Sequence, residues 1–332
     1  MPSARLGERL RGHLWTVLPT ARDLVLRPRL PSQQDFEVPV VDDHYGPTAL
    51  SCSLAVPEGA DSVVVLVHGL GGSRRSGYVQ RAAQQLHRCG FATLALDLRG
   101  ADLRGGGFYH VALTADLEAV CRSTLLQPFQ RIYVLGFSMG GHAAVHFAAT
   151  SSDRRVAGVA ALCSPLDLSS AQQYVDGPGR ACYRHYVLRG LKTIYEAVSR
   201  RQAVPSPAAL VWRCRTIHEW DRLTIAPHYG YASPEAFYEA QSARLVLPAL
   251  RVETVLVLVQ HDPIVPPQLA LPHIGGAPVG RLHVCVLPRG GHLQFPADSM
   301  LGLGGPPVRG VTAQLAAFWA RGDGASRQRA FA

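Results

Sequence analysis

Lysine is almost missing from this chain: Lys192 is the only one in 332 residues. Arginine therefore carries nearly all of the positive charge, 33 basic residues against 24 acidic ones and a formal net charge of +9. The arginines are scattered without a long basic run, and no nucleic-acid-binding module accompanies them, so a nucleic-acid partner is not expected. The same charge leaves weak contact with an anionic membrane surface open. No CxxC occurs, and the seven cysteines (Cys52, Cys89, Cys121, Cys163, Cys182, Cys214 and Cys285) are odd in number and irregular in spacing. That pattern fits free thiols in a reducing cytoplasm better than a disulfide framework. The N-terminal stretch MPSARLGERLRGHLWTVLPTARDLVLRPRL has no apolar run of signal-peptide or membrane-span length, because Arg11, His13, Arg22 and Arg27 interrupt it. It reads as an arm, amphipathic at most. No internal repeat is found, and nothing fixes an oligomeric state.

What is present suits a globular protein: 47% of residues are hydrophobic and 17% charged. Short apolar runs alternate with helical patterns from residue 63 onward. Strands are expected at Val63–Val67, Ala92–Asp97, Ile132–Leu135 and Val156–Leu162, with helices at Tyr78–Cys89, Val111–Thr124 and Met139–Thr150. Fully apolar strands separated by helices predict an α/β fold with a mostly parallel sheet covered on both faces. The alternation then stops. Residues 168–248 read as a helical insertion, with one apolar face of YRHYVLRGLKTIYEAVSRR formed by Tyr183, Tyr186, Val187, Leu191, Ile194, Tyr195 and Val198. Arg184, Arg189, Lys192, Glu196 and Arg200 fall mostly on the other face. In SPEAFYEA, Ser233 is the expected N-cap and Pro234 the first helical residue. The stretch 168–240 holds ten of the 25 aromatic residues, as helix packing or a cap over an apolar pocket would require. Strand signals return at Glu253–Val259 and Leu282–Leu287. The expected organisation is an arm at 1–45, a core at 46–167, a cap at 168–248, the rest of the core at 249–322 and a flexible tail at 323–332.

The chemistry concentrates in RIYVLGFSMGGH. Gly136, Ser138 and Gly140 form G-x-S-x-G between a strand and a helix, the tight turn that exposes a nucleophilic serine and leaves space only for glycine beside it. A serine hydroxyl needs a general base, and the base needs an acid that fixes its tautomer. In this strand–turn–helix setting the chain order is serine, acid, histidine. Asp262 in VQHDPIVPPQ and His292 in LPRGGHLQF each follow a late strand, where open α/β sheets place their sites. Asp167 in SPLDLSS is the competing acid. The backbone N–H groups of Met139 and of Leu70, in VLVHGLGGS, are the candidate oxyanion donors, with Gly69 opening the loop and His68 holding it.

Two other readings compete locally. Gly69 and Gly71 begin a G-x-G-x-x-G dinucleotide fingerprint, and Asp97 ends the next strand as that motif requires, but position 74 is arginine. His142 and His146 in HAAVH have zinc-binding spacing, yet Ala143 stands where a metalloprotease glutamate belongs and no third ligand is apparent. Neither a cofactor nor a metal is expected.

With these residues assembled, the chain resembles an α/β-hydrolase, more narrowly the YheT-like hydrolases, over residues 45–320. The resemblance rests on HGLGGS, LDLRGAD, GFYHVALTADL, GFSMGG, the cap stretch TIHEWDRLTIAPHYGYASPEAFYEAQSA, QHDPIVP and RGGHLQF. It implies a cofactor-free serine hydrolase of carboxylic esters, with short- to medium-chain acyl groups or lipid-like substrates. Ser138, Asp262 and His292 would be catalytic, and Leu70 and Met139 the oxyanion donors. The chain departs from the family pattern in RGGGF, on the substrate side. An acyltransferase with the same triad and a non-catalytic binding module on this scaffold are the alternatives.

Overall fold

A computed structural model of the protein describes residues 2–25, 32–104, 106–304 and 308–321; the expected tail, 323–332, lies outside them. In chain order the elements are α1 (Pro2–Val25), β1 (Gln34–Asp42), β2 (Gly46–Ala55), β3 (Ser62–Val67), α2 (Gly77–Arg88), β4 (Ala92–Leu96), α3 (Ala115–Arg122), β5 (Arg131–Phe137), α4 (Met139–Thr150) and β6 (Val156–Leu162). Then come α5 (Leu168–Asp176), α6 (Ala181–Ser199), α7 (Ala208–Val211), α8 (Ile217–Leu223), α9 (Ile225–His228), α10 (Pro234–Gln241), β7 (Glu253–Val259), β8 (Leu282–Leu287) and α11 (Val311–Ala320).

The strands form one eight-stranded sheet in the order β1-β2-β4-β3-β5-β6-β7-β8. From β4 to β8 every pairing is parallel, while β2 runs antiparallel to both β1 and β4. Every residue of β3 and β4 is buried, which is why these strands read as unbroken apolar runs. Successive side chains point to opposite faces. Val63, Val65 and Val67 pack on the side of α3, α4 and the helices after β6, whereas Val64 and Leu66 join Val79 and Leu86 of α2 and Leu315 and Phe318 of α11.

The N-terminal 45 residues are not simply an arm. Gln34–Asp42 pairs in register with Gly46–Ala55 as the outer strand of the sheet, so the expected boundary falls in a hairpin turn. Alternating burial and Pro39 hid this strand, and proline is tolerated there because an edge strand needs no second ladder. Helix α3 is shorter than its pattern, beginning at Ala115, because His110–Leu113 form a turn in which the Ala112 N–H donates to His110 Nδ1 at 3.3 Å. Lys192 was expected among the outward residues of α6, but it is buried and donates from Nζ to the carbonyls of Trp212 (3.0 Å) and Cys214 (2.6 Å). Ser233 caps α10 by accepting from the Ala236 N–H at 3.2 Å, with Pro234 at the first turn. Among the described residues no helix is long and apolar enough to cross a membrane.

Candidate active site

The turn between β5 and α4 explains its own glycines. A Cβ on Gly136 would lie 2.3 Å from the Gly140 carbonyl oxygen, and one on Gly140 would lie 2.3 Å from that of His68. Ser138 sits between them with φ 52 and ψ −120, a conformation an L-residue keeps only when its surroundings enforce it. The enforcement is visible: the Ser138 N–H donates to Leu162 (2.8 Å), and its carbonyl accepts from Gly141 (2.9 Å) and His142 (3.2 Å).

Asp262 and His292 are brought together from loops after β7 and β8. The buried Asp262 carboxylate takes the N–H groups of Ile264 (2.8 Å) and Val265 (2.9 Å) on Oδ1, and His292 Nδ1 on Oδ2 at 2.9 Å. A carboxylate only accepts, so the proton of the neutral imidazole is on Nδ1 and Nε2 is its basic nitrogen. Ser138 and His292 line the same cavity, as do Gly69, Leu70 and Met139.

The loop after β3 is pinned around Leu70. Tyr78 Oη accepts from the Gly69 N–H and Tyr109 Oη from the Gly71 N–H, both at 2.9 Å. Gly72 donates to the Gly69 carbonyl at 3.0 Å. Among the described residues, the N–H groups of Leu70 and Met139 have no acceptor, and both residues line the cavity. Burial pushes the Tyr78 hydroxyl up to about 12, so it stays a neutral pin. His68 is fully buried, with Nδ1 on the Gly69 carbonyl (2.8 Å) and Nε2 accepting from the Leu98 N–H (3.1 Å). Burial lowers its pKa, consistent with a neutral ring that braces the loop.

The competing readings dissolve in the geometry. Arg74, where the dinucleotide motif would need glycine, is buried and ion-paired with Asp97; its Nε donates to Ser53 Oγ at 2.9 Å. Asp97 is thus occupied rather than open to a ribose. Asp167 caps α5 through the Ser170 N–H (2.8 Å) and pairs with Arg244 (2.7 Å). His142 and His146 both face the Gln241 carbonyl, at 2.8 and 3.0 Å, and His142 also faces that of Pro165 at 3.0 Å. They tie α4 to the end of α10.

Four contributors were not singled out from the sequence. Tyr78 opens an expected helix and Tyr109 stands within GFYHVALTADL, but nothing local shows which N–H they hold. Thr16 of α1 lines the cavity, and its Oγ1 accepts from the His292 N–H at 2.9 Å. No motif announces a contact spanning 276 residues. Cys163, just after β6 with φ 49, lies beside the Asp262 carboxylate, and burial drives its thiol well above the ordinary range. Its sulfur, an Asp262 oxygen and a His292 nitrogen lie within 4.8 Å of one another. Among the described residues, three of the four non-glycine residues with positive φ, Ser138, Cys163 and Leu293, therefore cluster at this site.

The cavity has a volume of about 460 Å³. Its wall includes Leu168, Val175, Val187, Leu191, Ile217 and Trp220 from the helices between β6 and β7, an apolar lining suited to a hydrocarbon chain.

Comparison with known proteins agrees with this architecture. The chain is 24% identical over 236 residues to the monoacylglycerol lipase of Saccharomyces cerevisiae, covering 66% of this chain and 52% of that protein, so it spans about half the relative's length. It is 24% identical over 249 residues to YheT of Escherichia coli K12, covering 72% of each. An esterase structure from Pyrococcus furiosus superposes with a TM-score of 0.55 at 17% identity, over 89% of this chain and 99% of that one, a likeness of fold. The profile of the alpha/beta hydrolase fold matches residues 62–298, from β3 to beyond the His292 loop. The chain belongs to the α/β-hydrolase fold family.

Proposed function

We propose that this protein is a serine hydrolase of carboxylic esters, acting on short- to medium-chain acyl or lipid-like substrates. The observation that carries the reading is the Asp262–His292 contact at 2.9 Å on the cavity that also contains Ser138 at its strained turn. His292 Nε2 takes the proton of Ser138 Oγ as it attacks the ester carbonyl. The N–H groups of Leu70 and Met139 receive the developing oxyanion, and Asp262 stabilises the imidazolium. The protonated histidine then hands its proton to the leaving alcohol. Water, activated by the same ring, hydrolyses the acyl-enzyme. The helices between β6 and β7 act as the cap that shields the acyl chain.

Supporting the ester assignment are the apolar cavity and the similarity to a protein named for monoacylglycerol hydrolysis. The test is hydrolysis of p-nitrophenyl esters of increasing chain length by wild type and Ser138→Ala. The variant is expected to lose several orders of magnitude in kcat. Equal turnover by the two would overturn the mechanism. Product analysis with a competing alcohol separates hydrolysis from acyl transfer.

A further inference from the structure

Asp221 does not fit the character of the cavity it lines. It stands on α8, in the cap, and is 7% exposed. Tyr238 of α10 donates its hydroxyl to Oδ2 at 2.6 Å. Among the described residues, Oδ1 has no hydrogen-bond partner and no Lys, Arg or His lies within ion-pairing distance of the carboxyl. The neighbouring Asp176 is already committed, accepting from the N–H groups of Ile217 (2.8 Å) and His218 (3.0 Å) at the start of α8. Burial, opposed by the Tyr238 bond and aided by the charge of Asp176, raises the Asp221 pKa to about 7.

Burying a carboxyl without a cation costs free energy, and a purely structural link between α8 and α10 would be served as well by an apolar pair. The carboxyl also lines a cavity whose surface is mostly apolar, the arrangement by which polar groups in pockets orient ligands. Tyr238 fixes one oxygen and thereby sets the direction of the other.

We propose that Asp221, held by Tyr238, is a specificity subsite that accepts a hydrogen bond from a substrate hydroxyl remote from the scissile carbonyl. The preferred ester then carries that hydroxyl in the part of the molecule that reaches the cap, while the carbonyl sits at Ser138 on the sheet. This inference rests on the ester-hydrolase reading. A site built to bond a hydroxyl discriminates strongly against an analogue that lacks it, because the buried acceptor is then left unpaired.

The experiment measures kcat/KM for two matched pairs: a medium-chain glycerol monoester against its alkyl ester, and a hydroxyacyl methyl ester against its unsubstituted acyl counterpart. Wild type is expected to favour the hydroxylated member of one pair by about tenfold or more. In Asp221→Leu that ratio should fall close to unity, chiefly through KM. Asp221→Asn retains an acceptor for Tyr238 and serves if the leucine variant does not fold; its ratio should also drop. A purely structural role would lower both members of a pair alike and leave the ratio unchanged, which would overturn the proposal, as would the lack of any preference in wild type. Calorimetric binding of the matching alkyl ethers, with and without the hydroxyl, to Ser138→Ala reads the subsite without turnover. Selective binding there with no esterase activity in wild type would refute the ester chemistry and keep the subsite; equal binding would refute the subsite.

Discussion

Ser138, Cys163 and Leu293 hold backbone conformations that side chains normally avoid, and all three stand within the same constellation. The neighbours that enforce this are specific. An alanine at Gly140 would press its Cβ to 2.3 Å from the His68 carbonyl and 2.4 Å from that of Val67, both fixed backbone. Gly140→Ala should therefore lose several kcal/mol of stability and all measurable esterase activity; thermal unfolding monitored by circular dichroism checks the first part. Thr16 acts more subtly. Its hydroxyl accepts from the His292 N–H at 2.9 Å and donates to the Gly12 carbonyl at 2.8 Å. Thr16→Val keeps the shape but leaves that N–H unpaired, at a cost of roughly 1–3 kcal/mol. The expected result is a kcat about tenfold lower with KM little changed, and recovery in Thr16→Ser, which restores the acceptor. Ser138, Asp262 and His292 were legible in the sequence because each sits in a short motif at a strand end. Thr16 was not, because its partner is distant in the chain.

At the scale of elements, α1 shows how a segment outside the matched family region can still reach the site. It approaches the loops after β7 and β8 so closely that a Cβ on Gly12 would lie 2.1 Å from the His261 carbonyl, and one on Gly291 would lie 2.5 Å from Thr16 Oγ1. His13 adds a 2.6 Å bond to Tyr183 of α6, and Glu8 pairs with His261 at 3.2 Å. Gly12→Val should lift the helix away, making α1 cleavable in limited proteolysis and reducing esterase activity together. Intact α1 with full activity would show that this docking does not matter to the site. The sequence left an amphipathic arm open, and where α1 docks depends on glycines that meet only in three dimensions. Elements buried on both faces, such as β3 and β7, were readable because their apolar runs are unbroken. The edge strand β1 was not, since half of its pattern faces solvent.

Across the whole molecule, buried charge ties the outer strands to the centre. Arg99 bonds Asp42 at 2.6 Å and Asp116 at 2.6 Å, joining β1, the loop after β4 and α3. Against the cost of burial, Arg99 keeps the Asp42 carboxyl below its usual range. Arg99→Leu would strand two acids and should lower stability by about 3–5 kcal/mol, measured by urea unfolding. Titration follows from burial as well. Desolvation lowers five histidines, with His110 and His146 at about 3, His228 at about 4, and His68 and His142 lowered too. The unfolded chain binds those protons near the ordinary value of about 6.5, whereas the folded chain refuses them until lower pH. This contribution is whole above about pH 6.5 and is lost as pH falls. Burial raises Asp221 and Asp116, which work in the opposite direction. The lowered histidines outnumber the raised acids, so Tm should fall between pH 7 and pH 5; a flat or rising Tm would contradict the assignment.

The sequence alone determined the α/β class, the mostly parallel sheet and the candidate serine, acid and histidine. Each of these depends on local pattern: apolar runs, turn glycines and the residues that end strands. Tertiary structure decided the rest. Only in three dimensions does Arg74 occupy Asp97, does Tyr78 leave the Leu70 N–H open by holding its neighbour, and does α1 reach His292 through Thr16. The Asp221–Tyr238 pair likewise exists only because α8 and α10 fold against each other. Local pattern reflects the periodicity of one element, whereas these contacts are set by which faces pack together, and no short stretch of sequence carries that information.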